Sequence, residues 1–218
     1  MLFLPSDTEY IIETLQKNGY EAFAVGGCVR DMLNGDTPHD FDITTSAEPE
    51  TVMSLFEKTV PTGIKHGTVT VIINGVPNEV TTYRTDGEYR DHRRPDSVIF
   101  VKSLREALAR RDFTVNAMAY NKRDGLKDFF GGRKDIENRI LRAVGEPGRR
   151  FYEDALRIMR LFRFSSVLGF NIEENTIKAA LEYAPTLKSV SAERIYSELL
   201  KTLCGKNPAA LKPLTDIG

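Results

Sequence analysis

"GGCVRDMLNGDTPHDFDITTS", residues 26–46, joins a glycine pair to an Arg30-Asp31 step and then to Asp40-Phe41-Asp42. The apolar run Tyr20–Val25 just before it reads as a buried strand, and Gly26-Gly27 breaks that strand ahead of a short helix over Val29–Leu33. At such a strand–turn–helix step, backbone N–H groups without side chains can turn toward a phosphate, and Arg30 adds a cation one helical turn on. Taken alone, the glycines equally describe a tight turn and Arg30-Asp31 a surface pair. Phe41–Thr44 reads as a second strand. Residues i and i+2 of a strand share a face, so Asp40 and Asp42 are expected to project together while Phe41 enters a core. Two carboxylates held that close require a cation. Mg2+ suits them, because it takes carboxylate oxygens and fills its remaining positions with phosphate oxygens and water. By itself D-x-D more often marks a solvated acidic strand end. Combined with the glycine turn and Arg30, it fits a nucleoside triphosphate with magnesium.

Outward from this stretch, Ser6-Asp7-Thr8-Glu9 reads as a capping box that starts a helix through Lys17, closed by Asn18-Gly19. Glu48–Lys58 reads as a helix, and Thr68–Ile73 and Val76–Tyr83 as strands joined at Asn74-Gly75, a strong two-residue hairpin signal. Val98–Val101 is strand-like, and Ser103-Leu104-Arg105-Glu106 is a second capping box whose helix runs toward Arg110. Arg84–Pro95 is polar and rich in both charges, the composition of a mobile loop over a site. From Glu146 onward the pattern is helical only, with Ser191 and Gly205 as cap and stop of the last helix. The expected boundary therefore lies near Gly145, separating an α+β domain (1–145) from a helical one (146–218).

The bulk composition is that of an ordinary globular protein: 218 residues, 41% hydrophobic, 28% charged, net charge −1. The apolar run Met1–Leu4 stops at Pro5, short of a signal-peptide core or a membrane span, so a cytoplasmic location and no membrane partner are expected. Cys28 and Cys204 are too few and too far apart for a disulfide scaffold or a zinc site, and both read as reduced core residues. Near-neutral charge argues against general nucleic-acid coating. Arginines nonetheless crowd residues 139–163 and make a local basic surface.

Four motifs, in order, carry a resemblance. Gly26-Gly27-x-Val29-Arg30-Asp31, Asp40-x-Asp42, Arg110-Arg111-Asp112-Phe113-Thr114-x-Asn116-Ala117 and Glu153-Asp154-x-x-Arg157 resemble those of class II tRNA nucleotidyltransferases, the CCA-adding enzymes of the polymerase beta superfamily. Bacterial poly(A) polymerases share most of them, but Pro61–Val69, "PTGIKHGTV", looks like the CCA-adding branch. The resemblance implies a nucleotidyltransferase head with a mixed sheet, then a helical neck. Body and tail domains follow in the family, so these 218 residues look like head and neck alone. It further implies transfer of CMP and AMP from CTP and ATP to the tRNA 3′ end, with Mg2+ and release of pyrophosphate. Asp40 and Asp42 would be the metal ligands, with Glu79 as candidate third carboxylate. Gly27, Arg30, Arg111 and Asp112 would contact the nucleotide, Asn116 would fix their segment, and Gly131-Gly132 would connect head to neck as a hinge.

The helix expected over Arg150–Phe164 would set Ala155, Ile158, Met159 and Phe162 on an apolar face and its charges opposite. Cytosine and adenine each present an amino donor beside a ring-nitrogen acceptor, and uracil and guanine present the reverse. Asp154 accepts only and Arg157 donates only, so the pair would admit C and A without a template. By the resemblance, Glu153 would support the pair, and Arg160 and Arg163 would also touch the nucleotide. One departure stands out: Arg105 and Ala107 occupy a segment where the family usually carries acids, which bears on the switch from C to A addition. Two other classes stay open. A sugar-nucleotide glycosyltransferase also uses D-x-D but leaves R-R-D-F-T and E-D-x-x-R without a role, and a nucleotide-binding fragment would keep the pocket yet be inactive on tRNA.

Overall fold

The computed structural model describes residues 2–87 and 98–215. The chain forms two compact units: residues up to 87, 98–111 and 115–133 make the first, and 112–114 with 134–215 the second.

In the first unit, α1 (Ser6–Lys17) buries Thr8, Ile11, Ile12 and Leu15, one stripe at helical spacing. The helix is where the sequence put it, but the capping box does not form. Pro5 holds the cap position and its carbonyl accepts from Glu9 N at 2.9 Å, while Ser6 lies inside the helix. Proline offers no side-chain acceptor, so Asp7 and Glu9 stabilise the first turn through the helix dipole instead. There follow β1 (Ala22–Val25), α2 (Gly27–Asn34), β2 (Ile43–Thr45), α3 (Pro49–Leu55), β3 (Thr59–Gly63), β4 (Thr68–Ile73), β5 (Val76–Thr82), β6 (Arg84–Asp86), β7 (Val98–Phe100), α4 (Leu104–Ala109), β8 (Met118–Asn121) and β9 (Gly125–Asp128). Residues 88–95 of the expected loop lie outside the described residues.

Seven strands make one mixed sheet in the order β3-β4-β5-β2-β1-β8-β9, with β2 and β5 parallel and the other neighbours antiparallel. The β4–β5 hairpin turns at Asn74 (φ 51°) and Gly75 (φ 83°), two left-handed residues, as a two-residue turn matched to strand twist requires. Paired residues share a face, so Ile43, Val69 and Val80 lie together, fully buried on the side where α1 and α3 pack. The opposite face of the same strands carries Thr44, Thr68, Glu79 and Thr81. Further along that face Phe23 and Val25 pack with Tyr83, Leu104, Ala107 and Leu108. α4 is capped as expected, with the Ser103 side chain accepting from Glu106 N.

The second unit comprises most of α5 (Gly132–Glu137), then β10 (Ile140–Leu141), α6 (Pro147–Glu153), α7 (Leu156–Leu168), β11 (Asn171–Ile172), α8 (Glu174–Tyr183), α9 (Ala192–Leu203) and α10 (Lys212–Thr215). The change of unit falls at Arg133/Lys134, ahead of the expected Gly145. The reason is backbone pairing. Thr114 N donates to Arg142 O at 2.9 Å and Val144 N to Asp112 O at 3.0 Å, which draws 134–145 and 112–114 into one unit. The unit is not wholly helical, because β10 and β11 pair in parallel. The single helix expected over Arg150–Phe164 is two: the chain breaks at Asp154 (φ −139°, ψ 104°) between α6 and α7. α7 is buried around most of its circumference, Arg157 included, so the expected division into an apolar and a solvated face does not hold. No described helix is long and apolar enough to cross a membrane.

Candidate active site

In the first unit the turn after β1 is built for close approach. Gly26 has φ 83°, a conformation that favours glycine, and a Cβ there would lie 2.5 Å from Arg111 Nη1, so the arginine side chain approaches the bare backbone closely. Arg111 Nη1 donates to Asn116 O at 3.4 Å, and Arg30 Nη1 donates to Asn116 Oδ1 at 2.6 Å while its Nε reaches Asp31 Oδ1 at 2.8 Å. Asn116 thus fixes two guanidinium groups beside Gly27, the first residue of α2. That gathers Gly27, Arg30 and Arg111 at one turn.

Asp40 and Asp42 are exposed and lie just before β2, not on it. The chain is already in register there, since Val25 N donates to Asp42 O at 2.9 Å. Phe41 does not enter the core. It is half-buried, meets Phe3 edge-on at 6.5 Å, and lines one cleft of about 850 Å³ together with Asp40, Asp42 and Glu79. A second, smaller cleft of about 190 Å³ runs from Asp42 and Glu79 over the polar sheet face to α4 and Arg111. Among the described residues no hydrogen bond or ion pair within 4 Å takes up the carboxylate of Asp40 or Asp42. Two adjacent, unpaired, acceptor-only groups are the donor set that a hard divalent cation needs. Glu79 borders both clefts, but among the described residues no three His, Cys, Asp or Glu side chains converge as a metal-binding group.

Asp42 keeps solvent access, yet protein atoms crowd its carboxyl and raise its pKa above the ordinary carboxylate value. Arg111 opposes that rise and Asp40 adds to it. Behind it, burial and then the Asp42 charge push the Cys28 thiol up to about 11, which keeps it protonated and inert. Cys28 is the core cysteine expected, whereas Cys204 is exposed at the end of α9. The raised Asp42 pKa has a stability consequence. The folded chain holds the Asp42 proton more tightly than the unfolded chain, so the ionised carboxylate costs stability as pH rises from the ordinary carboxylate range through its raised pKa. Asp42→Asn is therefore expected to match the metal-free parent near pH 3.5 and to melt higher than it at pH 7. Thermal melts in a chelator at the two pH values check this, and a variant less stable than the parent at pH 7 contradicts it.

In the second unit Asp112 and Phe113 sit against α7. Arg160 Nε donates to Asp112 Oδ2 at 2.9 Å, which raises the arginine's pKa chiefly through the Asp112 charge. Arg163 pairs with Glu198 and stacks over Phe164 at 4.0 Å; burial lowers its pKa. Glu153 accepts from Arg149 (3.1 Å), Arg150 (2.6 Å) and Arg157 (2.7 Å), and Arg157 Nη1 also donates to Arg150 O at 3.0 Å. Asp154 ends α6, and its Oδ1 accepts from Leu156 N at 3.1 Å, tying the junction to the start of α7. The helix break therefore orients Asp154, and Glu153 holds Arg157.

Residues 22–142 match the model of the poly A polymerase head domain. The chain belongs to that family. A second model, described as "Probable RNA and SrmB- binding site of polymerase A", matches residues 169–218. Among curated relatives, the CCA-adding enzyme of Geobacillus thermodenitrificans is 52% identical over 204 residues, 94% of this chain and 50% of the relative. The chain thus spans about half the length of the curated relatives it matches. Among solved structures, the Bacillus stearothermophilus CCA-adding enzyme in complex with CTP superposes with a TM-score of 0.87 at 47% identity, covering 96% of this chain and 51% of that one. The Thermotoga maritima CCA-adding enzyme complexed with tRNA superposes at 0.81 and 25% identity, covering 98% and 52%. The α+β fold and head-domain membership expected from the sequence are those of the family. The sequence did not single out Thr44, Thr68 and Thr81, which line the smaller cleft; alternation of threonine with valine along β4 was the available signal.

Proposed function

We propose that the chain is the head and neck of a template-independent CCA-adding tRNA nucleotidyltransferase, transferring CMP and AMP from CTP and ATP to the tRNA 3′ end with release of pyrophosphate. The carrying observation is the pair of unpaired carboxylates, Asp40 and Asp42, the second of which borders a cleft that Arg111 also lines. The names of the relatives, and the CTP and tRNA in the titles of two structural neighbours, support the reading.

The reaction is an in-line displacement at the α-phosphorus, so positioning and charge stabilisation supply the catalysis. Asp40 and Asp42 would hold Mg2+, which when bound lowers the pKa of the attacking hydroxyl and stabilises the leaving pyrophosphate. Arg30 and Arg111, fixed by Asn116, would orient the triphosphate at the Gly26-Gly27 turn. In the second unit Asp154 and Arg157 would read the base, with Glu153 holding Arg157, and Arg160 and Arg163 would flank the nucleotide through Asp112 and Glu198. The soluble phase of the cytoplasm, where tRNA and nucleotides meet, is the setting this reading requires.

The test is analysis of tRNA 3′ ends after incubation, with magnesium, with CTP alone, ATP alone or both. CCA addition gives one or two C residues with CTP and a completed CCA end with both. Adenosine added to a CC end but no cytidine added would assign A-only addition. A ladder of adenosines would assign the poly(A) activity for which the matching family is named.

A further inference from the structure

The larger cleft beside Asp40 and Asp42 differs in charge from the smaller one. Among its described lining residues there is no lysine or arginine, and Arg30 and Arg111, the cations proposed for the triphosphate, do not line it. Instead the carboxylates of Asp7 and Glu79 join those of Asp40 and Asp42. Four carboxylates disfavour a polyanionic triphosphate tail, whereas an uncharged nucleoside meets no such penalty. The two clefts share Asp42 and Glu79. An in-line displacement sets the attacking hydroxyl and the leaving pyrophosphate on opposite sides of the phosphorus. A second compartment bordered by the same carboxylates therefore suits the attacking partner.

This cleft is lined by two aromatic rings. Phe3 is 55% exposed although its neighbours are fixed, since Leu4 is buried in the core and Tyr120 Oη donates to Leu2 O at 3.4 Å. Phe41, between the two aspartates, is half-buried and meets Phe3 edge-on, with ring centroids 6.5 Å apart and planes at 63°. A single exposed phenylalanine needs no explanation. Two rings brought together along a cleft of about 850 Å³, ample for a nucleoside, offer its occupant a π-surface. Stacking on aromatic side chains holds single-stranded RNA without regard to sequence, because every base has a π-face. A growing 3′ end requires that tolerance, since its last base changes as CMP and AMP are added.

We propose that Phe3 and Phe41 form the stacking platform for the 3′-terminal nucleoside of the RNA acceptor and so set its hydroxyl beside Asp40 and Asp42. The inference rests on the proposed nucleotidyl transfer and adds where the acceptor sits. The base of the incoming nucleotide has the same stacking chemistry, and the experiment separates the two.

tRNA lacking its CCA end is prepared with a normal or an abasic last nucleotide. Equilibrium binding of each, and of CTP, is measured with magnesium for the parent, for the double variant Phe3→Leu with Phe41→Leu, and for Phe3→Tyr with Phe41→Tyr. Leucine keeps apolar bulk without a π-face, and tyrosine keeps the ring. Thermal melts confirm folding, and the Phe3 substitutions alone serve where a double variant is not tolerated, since Phe3 is exposed. One stacked base is worth about ten- to a hundredfold in affinity. The parent is expected to prefer the tRNA with its last base by that factor. The tyrosine variant should keep the preference, and the leucine variant should lose most of it while binding CTP as the parent does. A leucine variant that weakens for CTP and keeps the preference gives the platform to the incoming nucleotide and overturns the inference. So does a parent indifferent to the last base, or a folded leucine variant with the parent's preference and CTP affinity; CMP incorporation by the parent then leaves the proposed function standing. A parent that binds neither tRNA nor CTP overturns both.

Discussion

Asp40→Ala and Asp42→Ala are each expected to abolish incorporation of both CMP and AMP while the chain stays folded. Both side chains are exposed and, among the described residues, no hydrogen bond or ion pair holds either carboxylate, so truncation opens no cavity and breaks no contact. What is lost is the oxygen donor set for a divalent cation. Charge stabilisation by such an ion contributes several kcal/mol to a phosphoryl-transfer barrier, and about 4 kcal/mol corresponds to on the order of a thousandfold in rate. Single-turnover incorporation onto tRNA, alongside a thermal melt, measures the two effects separately. Chelation of the parent should reproduce the loss and added magnesium should reverse it. Near-parental turnover in either variant would remove these aspartates from the chemistry. Asp42→Asn sharpens the point, because the same substitution is expected to raise neutral-pH stability: protein crowding raises the Asp42 pKa, so the carboxylate is kept at a cost to the fold.

What was legible in the sequence was whatever local chemistry determines. Asn74-Gly75 sets a hairpin because two left-handed residues are needed there and these two tolerate it best, and Ser103 caps α4 because its hydroxyl accepts from Glu106 N. The Ser6 box failed by one residue, since Pro5 took the cap position and shifted Ser6 into the helix. The strand at Met118–Asn121 went unread because β8 is paired on both sides and mostly buried, so it shows no alternation of apolar and polar residues. The glycine pair marks the turn in the sequence, but Arg111 lies against Gly26 across 85 residues of sequence, a contact only the tertiary fold supplies. The same holds for Arg157. An arginine with apolar neighbours at helical spacing looks like one member of a solvated face, and its burial depends on Glu153 and the Arg150 carbonyl accepting its charge. Nothing in the local propensities of Arg150–Phe164 disfavours a continuous helix, so the break at Asp154 is a tertiary outcome.

That break shapes the second large effect. Asp154→Ala is expected to relax discrimination against UTP and GTP by about ten- to a hundredfold, the scale of about 1–3 kcal/mol carried by a good base-edge contact. In the proposed role the carboxylate, an acceptor only, receives the amino group of C or A and opposes the carbonyl of U or G, which leaves charged groups unpaired against the wrong base. Its placement is consistent with one fixed orientation, because Oδ1 accepts from Leu156 N at the start of α7 and Arg194 Nη2 lies 3.4 Å from Oδ2. A carboxylate has about four lone-pair sites, so these contacts leave capacity for a base. Alanine also removes the Oδ1 bond to Leu156 N, at about 1 kcal/mol of stability, and Asp154→Asn separates the two effects. Asparagine keeps an oxygen for Leu156 N and presents an amide that can accept or donate, so it should retain the melting temperature and still lose selectivity. Arg157→Ala should relax selectivity in the same direction and weaken nucleotide binding as well, since it removes a cation and leaves Glu153 with one partner fewer. The measurement is relative incorporation of the four triphosphates onto one tRNA primer at saturating magnesium. If Asp154→Asn rejects UTP and GTP as sharply as the parent, the Asp154 carboxylate only shapes the α6–α7 junction and base choice resides in other side chains.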